Sequence, residues 1–312
     1  MSTDVGIEPA ADRPIRQNLR QERIPLAIAY MIGAGFVFAA TMAASKWLVA
    51  TYPVGEVLFT RSFFGLVACG LFILPASGLA VFRTQRLGAH LIRGASQTCS
   101  QSLLLLAFSL MPLASVTAIN FSSPLFATLA SAIFLKEGIG AARGAALTVG
   151  FIGVLIVTNP GADTFQIGAL FALGNAVLFG TVTAGVRGMT TTESAGTLTL
   201  YQLVLLSGAY AVMLPFGFAL PSASDGAMMA LSGAGNGLAQ YWWTRALHMA
   251  PTAAVVPFNY LSLVWAVIFG FAIWGDVPTP GLLFGSAIVV GSGLFLLWRE
   301  SRRATLVQDG VA

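Results

Sequence analysis

The chain has 312 residues, of which 56% are apolar and 9% are charged, and its formal net charge is +4. A water-soluble domain carries about 25% charged residues, so this composition excludes a soluble fold and indicates an integral membrane protein. The basic residues form no continuous face and do not alternate with aromatic residues, which argues against a nucleic-acid partner.

Ten apolar runs follow one another along the chain, and each is close to the roughly 20 residues that a helix needs to cross the bilayer. The polar residues 1–25 and 299–312 are predicted to be tails on either side of them. Because most connections are only a few residues long, consecutive helices are predicted to be antiparallel neighbours. The predicted helices are residues 26–50, 55–75, 88–109, 113–135, 141–158, 166–188, 196–219, 225–248, 252–274 and 280–298.

The distribution of Lys and Arg predicts the orientation of these helices. With the N-terminus inside and ten crossings, fourteen of the 16 basic residues lie at the cytoplasmic face, where basic residues that flank membrane helices are retained. Lys46 and Arg61 instead fall within the outer parts of the first two helices. Both termini, and therefore both tails, are predicted to be cytoplasmic.

The sequence repeats itself at a shift of 139 residues. Residues 107–137 align with residues 246–276 without a gap, and Asn120 then corresponds to Asn259. The first repeat is predicted to cover residues 26–158, which is five helices, and the second starts at residue 166 and ends at residue 298.

Five helices per repeat is an odd number, so the two repeats are predicted to cross the membrane in opposite senses. Inverted repeats are characteristic of secondary transporters, in which a central site is exposed alternately to each side of the membrane. The predicted fold is therefore an all-α integral membrane protein of ten transmembrane helices in two inverted five-helix repeats.

Amide side chains mark one face of the third and eighth helices. Gln97 and Gln101 are four residues apart, and Asn236 and Gln240 take the corresponding positions in the second repeat. Unpaired amides are costly in hydrocarbon, so these groups must find a helix, water or a ligand as partner. They either join helices by hydrogen bonds or line an aqueous cavity near the midplane, and their repetition in both halves favours the cavity.

Aromatic residues that lie deeper than the membrane interfaces either face this cavity or pack against lipid and other helices. A ring with a polar edge suits an amphipathic solute. The residues that we predict to line the cavity and bind the substrate are Gln97, Gln101, Asn120, Asn236, Gln240, Trp243, Asn259 and Tyr260.

Three charged residues, Lys46, Glu56 and Arg61, fall toward the external ends of the first two helices. Charged groups within a membrane are usually paired or functional. An ion pair of Glu56 with Lys46 or Arg61 is predicted, either as a gate or as a structural link. Alternatively, one cation faces the cavity and meets a carboxylate of the substrate.

Sequence patterns for catalysis and for metal binding are missing. There is no paired intramembrane carboxylate, no H-E-x-x-H and no G-x-S-x-G, so we predict no enzyme activity, no cofactor and no metal site. Apart from Asp225 at the first residue of its helix, Glu56 is the only acidic residue in a predicted helix. Proton coupling thus has no evident carrier at the midplane, and facilitated movement or exchange is the simpler hypothesis.

Several local features resemble one family. They are the basic residues Lys46 and Arg187 at the ends of the first helix of each half, the run FTRSFFGLVACGLF around Arg61, and a P-x-A-x-V sequence followed by an acidic residue after the next helix. Over residues 26–298 the chain resembles the ten-helix drug/metabolite transporter superfamily, EamA type, and in particular bacterial aromatic amino-acid exporters of the YddG kind.

This resemblance implies a multi-pass protein of the bacterial inner (plasma) membrane that exports small metabolites or facilitates their movement, amino acids including aromatic ones, by alternating access around a central cavity. Tyr201 and Gln202 stand where the first half has Arg61, so a gating role of Arg61 is not implied for both sides. The alternatives are a drug or nucleotide-sugar-like carrier of the same fold, and a membrane receptor or scaffold without transport. The expected partners are a small-molecule substrate and the lipid bilayer, and a monomer is sufficient.

Overall fold

The computed structural model describes residues 23–134, 141–158, 167–189, 192–250 and 252–308. Within these residues the chain forms α-helices and two short 3-10 turns, with no strand. The helices are α1 (Ile24–Leu48), α2 (Val54–Ser77), α3 (Leu87–Leu110), α4 (Leu113–Asn120), α5 (Ser123–Phe134), α6 (Ala141–Thr158), α7 (Ile167–Met189), α8 (Ala195–Ala211), α9 (Ala223–Met249), α10 (Thr252–Asn259), α11 (Leu261–Trp274) and α12 (Pro280–Gln308).

Six helical stretches of the described chain are long and apolar enough to cross a membrane, and two shorter apolar helices accompany them. α3 and α9 do not belong to either group, and polar side chains recur along both. The all-helical membrane fold is therefore confirmed for the described residues, whereas ten crossings and two cytoplasmic termini stay predictions.

The fourth and ninth predicted helices are each broken in two. α4 ends at Asn120 and α5 begins at Ser123, and Pro124 in the first turn of α5 has no N–H to bond the carbonyl of Asn120. In the second half the break falls at Tyr260, between α10 and α11, three residues after Pro257. Asn120 and Asn259 thus each end the first piece of a broken helix.

Two helix ends differ from the prediction. α8 ends at Ala211 rather than at residue 219, because a 3-10 turn with Pro215 and an extended segment replace its last turns, although the segment is apolar. α12 continues to Gln308, beyond the predicted end at residue 298, so the last apolar residues do not mark the end of the helix.

The two predicted halves are not separate bundles, because helices of one half pack against helices of the other. α1 lies along α9, and α7 lies along α3, so the first helix of each half contacts the third helix of the other. α1 also packs on α10 and α11, while α7 packs on α4 and α5. The remaining large contacts join α2 to α8, α2 to α9 and α6 to α12.

The largest group of buried apolar side chains lies at one end of this bundle, and we call it the sealing core. It combines the C-terminal ends of α1, α3 and α8 with the N-terminal ends of α2, α4, α7 and α9. Its most deeply buried large side chains include Leu48, Leu58, Phe108, Leu113 and Tyr210. Under the predicted orientation this end is external.

Candidate substrate chamber

A chamber of about 340 Å³ lies between the two predicted halves. Its volume is within the range of roughly 300–1,000 Å³ that is usual for small-molecule sites. Side chains of every helix except α6 line it within the described chain. At one end the lining meets the sealing core at Leu58, Leu104 and Leu113, and at the other it reaches Leu247 and Leu296.

The structure brings all eight residues that the sequence predicted for a cavity to this one chamber. Substrate binding by them stays a prediction. They are Gln97, Gln101, Asn120, Asn236, Gln240, Trp243, Asn259 and Tyr260.

One group of these amides joins helices. Asn175 of α7 donates its amide N–H to Oδ1 of Asn120 at 2.7 Å and accepts a hydrogen bond from the hydroxyl of Ser100 at 2.6 Å. The three residues come from α7, α4 and α3, so the chain of bonds links both halves at the point where α4 ends. Of the two interpretations given for the amides, a link between helices is the one that the hydrogen bond of Asn120 shows.

A second group of amides is left with free acceptors. The side-chain oxygens of Gln97 and Gln101 are buried and have no hydrogen-bond partner among the described residues, and the hydroxyl of Tyr260 has none among them either. The Gln240 amide donates to the hydroxyl of Thr244, on its own helix, at 3.4 Å. A buried polar atom without a partner is costly, so these groups are suited to a bound polar ligand or to water.

Two arginines also line the chamber. Arg61 of α2 donates to Oδ1 of Asn236 on α9 at 2.7 Å, and Arg93 of α3 donates to Oε1 of Gln202 on α8 at 2.5 Å. Arg93 further donates to the backbone carbonyl of Leu198 at 3.1 Å. The exposed fractions are 5% for Arg61 and 7% for Arg93, so both guanidinium groups are buried. Both of these arginines belong to the first predicted half, and each bonds a side-chain amide of the second.

The predicted ion pair of Glu56 with Lys46 or Arg61 is not formed. The carboxylate of Glu56 accepts a hydrogen bond from the backbone N–H of Ala219 at 2.9 Å, in the extended segment after α8. Arg61 bonds Asn236 instead.

Lys46 takes other partners as well. Its ammonium donates to the carbonyls of Phe108 and Met111 at the C-terminal end of α3 and lies 5.3 Å from the centre of the Trp274 ring. Carbonyl groups at the end of a helix need hydrogen-bond donors. Those of α3 therefore accept from the Lys46 ammonium, which was predicted to pair with the Glu56 carboxylate. A gating role of Lys46, Glu56 or Arg61 stays a prediction.

The aromatic residues divide between the chamber and the helix contacts. Trp243 and Tyr260 line the chamber, and the Tyr260 ring lies 4.7 Å from the Phe121 ring. Trp242 and Trp265 do not line the chamber. Trp242 packs against Tyr30, and Trp265 packs edge-on against Phe36.

Among the charged and amide side chains of the lining, sequence reasoning missed three: Arg93, Asn175 and Gln202. Arg93 was assigned to the cytoplasmic flank because of its charge and its position near the start of a helix. Asn175 is an isolated amide within an apolar run, and that isolation is the signal that could have indicated it. Gln202 was noted only as the counterpart of Arg61.

Apolar helices that enclose a chamber, as the described residues do here, define the class of multi-pass membrane proteins. Comparison with known proteins then gives the family. The sequence matches the EamA-like transporter family over residues 25–159 and again over residues 166–298, and the chain belongs to this family. As a member of it, the chain is a transporter of the drug/metabolite superfamily rather than an enzyme.

Three relatives cover most of the chain. The riboflavin transporter of Rhizobium johnstonii is 31% identical over 88% of this chain and 91% of its own. The S-adenosylmethionine uptake transporter of Rickettsia conorii is 25% identical over 88% and 95%, and the pseudopaline exporter of Pseudomonas aeruginosa is 26% identical over 82% and 90%. All three are named for small metabolites and none for an aromatic amino acid. The narrower resemblance to aromatic amino-acid exporters therefore stays a prediction.

A solved crystal structure matches the fold with a TM-score of 0.63 and 19% sequence identity, covering 88% of this chain and 98% of its own. At this identity the likeness concerns the fold alone.

Proposed function

We propose that this chain is a secondary transporter of a bacterial inner membrane, and that its substrate is a planar, amphipathic metabolite without net positive charge, with riboflavin as the first candidate. The observation that carries the proposal is the chamber itself, which the amide side chains of Gln97 and Gln101 line together with the rings of Trp243 and Tyr260.

The chemistry of a flavin matches this lining. One edge of its ring system alternates carbonyl and N–H groups, and side-chain amides can both donate to and accept from such an edge. The flat rings can stack on aromatic side chains. The riboflavin transporter of Rhizobium johnstonii, at 31% identity, adds support from sequence.

S-adenosylmethionine fits less well, although several relatives are named for it. Its sulfonium and ammonium groups are cations, and buried cations need an opposite charge or an aromatic face. In the described part of the chain the lining includes two arginines and no carboxylate. Repulsion between like charges therefore disfavours a cationic substrate.

Aromatic amino acids are the second candidate, and a specific observation favours them. The chamber presents guanidinium groups that suit a carboxylate, together with the indole ring of Trp243. The ammonium group of an amino acid, in contrast, finds no carboxylate among the described lining residues. For this reason we rank the amino acids after riboflavin.

The position of the sealing core supports alternating access with the chamber facing the cytoplasm in this structure. The core closes the end that is external under the predicted orientation, while the lining continues past Trp243 to Leu247 near the other end of α9. In such a transporter, a rocking motion would open the core end and close the opposite one.

The test is uptake into proteoliposomes of a panel that contains riboflavin, phenylalanine, tryptophan and S-adenosylmethionine. We expect riboflavin to be taken up fastest, and we expect Gln101→Ala, Gln240→Ala and Trp243→Ala each to lower its flux about tenfold or more, because each removes a group from the chamber. Gln85→Ala and Trp47→Ala are the matched controls, since both side chains are exposed outside the chamber.

Faster flux of an aromatic amino acid than of riboflavin would favour the second candidate. Tight binding of a panel member without any flux would contradict transport and would favour a receptor.

A further inference from the structure

We infer that the chamber binds an acidic group of a substrate, a carboxylate or a phosphate, at Arg61 near one end or at Arg93 near the other. This inference rests on the proposed function and extends its substrate class: besides a neutral flavin, the chamber accepts molecules that carry an anionic group, and it binds them more tightly.

The first argument is the charge of the lining. Arg61 and Arg93 are cations and are more than nine-tenths buried, whereas the described lining residues include no Asp or Glu. The acidic residue nearest to Arg61 along α2 is Glu56, and its carboxylate bonds the backbone N–H of Ala219. A buried charge is costly unless an opposite charge compensates it, and the described lining has an excess of positive charge.

The second argument is the number of hydrogen-bond donors. A guanidinium group has five N–H donors in a planar fork. Arg61 uses one of them on Asn236, and Arg93 uses its two terminal nitrogens on Leu198 and Gln202. On either arginine, the remaining N–H groups can bind two oxygens of one carboxylate or phosphate. This bidentate geometry is the one that arginine favours.

The third argument is the placement of the two cations. Arg61 lies about 10 Å along α2 from Val54, and Arg93 lies about 9 Å along α3 from Leu87, at 1.5 Å per residue. α2 and α3 are antiparallel neighbours in the predicted topology, so the two arginines approach the chamber from opposite ends. An acidic group therefore meets a guanidinium near either end of the chamber.

The amide partners Asn236 and Gln202 fit this role. A neutral amide oxygen orients a guanidinium without cancelling its charge, whereas a carboxylate partner would neutralise it. Each pair also crosses between the predicted halves, from α2 to α9 and from α3 to α8. A purely structural role for these pairs, as links between the halves, is the alternative that the experiment must separate.

The experiment uses two flavins that differ only in an acidic group. Riboflavin and riboflavin 5′-phosphate are titrated into the purified full-length chain, and flavin fluorescence reports the Kd of each. We expect the phosphate to bind about tenfold more tightly than riboflavin, because a charge-assisted bidentate contact adds to the ring contacts. We expect Arg61→Gln and Arg93→Gln each to reduce that ratio about fivefold, and Arg61→Lys to retain part of it.

Arg245→Gln is the matched control, because Arg245 is exposed on α9 and does not line the chamber. Its ratio of affinities should equal that of the unaltered chain. Thermal unfolding of every variant is measured in parallel. Lower stability with an unchanged ratio would show that the arginines serve as structural links only, and equal affinity of the unaltered chain for both flavins would likewise overturn the inference.

Failure of the proposed function has a different signature. If neither flavin binds, riboflavin is not the substrate, and a second pair of probes decides the inference about the acidic group. 3-Phenylpropionate and phenethylamine carry the same ring with a carboxylate or an ammonium group. Thermal stabilisation by the acid alone, lost in Arg61→Gln, would support the anion site, whereas stabilisation by the amine alone or by neither probe would overturn it.

Discussion

Asn175 shows how a single amide fixes the position of several helices. It is 1% exposed and bonds Ser100 of α3 and Asn120 at the end of α4. Asn175→Leu keeps the size of the side chain but leaves both partners without their bond inside the bundle. We expect a loss of about 1–3 kcal/mol in the free energy of unfolding, measured by thermal unfolding in detergent. Thr148→Val is the control, because Thr148 bonds only the backbone of its own helix on an exposed face.

An equal effect of the two substitutions would contradict a linking role for Asn175. It would mean that the loss of any side-chain hydrogen bond costs about the same free energy in this protein. Hydrogen bonds between membrane helices contribute under about 1 kcal/mol on average.

Individual residues were predictable where their chemistry is visible locally. The amides Gln97 and Gln101 were identified because polar groups in an apolar helix need an explanation, and because the second half repeats them. The pairing of Glu56 was not predictable, since its partner is the backbone N–H of Ala219, 163 residues away, and only the folded chain brings them together. The place of Arg93 in the chamber lining was not predictable, because a basic residue near a helix end has the same sequence signature whether it faces solvent or the chamber.

At the scale of helices, α2 and α9 touch through their backbones. A Cβ atom added to Gly237 would lie 2.6 Å from the carbonyl oxygen of Gly65, and one added to Gly65 would lie 3.0 Å from that of Gly233. Small residues at such crossings are what allows close packing of membrane helices. The contact lies beside the bond between Arg61 and Asn236, so it also fixes that side of the chamber.

Gly237→Ala is therefore expected to force α2 and α9 apart. Overpacking against a backbone costs about 1–3 kcal/mol, and we expect thermal unfolding at a lower temperature together with slower transport. Gly291→Ala on α12 is the control, because nothing lies within 4 Å of an added Cβ there and alanine is the better helix former. Unchanged stability of Gly237→Ala would show that these helices separate without cost.

The helices themselves followed from apolar runs of membrane length, but their interruptions did not. The two apolar stretches continue across the breaks after Asn120 and at Tyr260, because the few polar residues at each break are flanked by apolar ones. Pro124 indicated where an interruption could occur, yet proline is tolerated in membrane helices and does not fix the break by itself. The early end of α8 was missed for the same reason, because Val212 and its neighbours are as apolar as the helix they follow.

At the scale of the whole molecule, the sealing core and the chamber predict which face of the membrane gives access. In a chain with Cys69 and Cys99 replaced by alanine, Leu247→Cys at the chamber end of α9 should react with a membrane-impermeant thiol reagent from the cytoplasmic side only. Phe216→Cys, in the exposed segment after α8 where Phe216 is 89% exposed, should react from the external side only. Vesicles of both orientations provide the measurement.

The reverse pattern of labelling would invert the predicted topology. Reaction of both cysteines from one face would contradict the number of crossings between α8 and the end of α9.

The charge of the described chamber lining, two arginines without a carboxylate, also determines how membrane voltage acts on this carrier. An anion that crosses through the described chamber brings its charge with it, because no carboxylate in the lining releases a proton or a cation to balance it. Each negative charge moved against an inside-negative voltage costs about 2.3 kcal/mol per 100 mV. That energy corresponds to about a fifty-fold concentration ratio in favour of the outside. A solute with a single acidic group is therefore driven outward by the resting voltage alone, whereas its net uptake requires a second ion or rapid metabolic consumption inside.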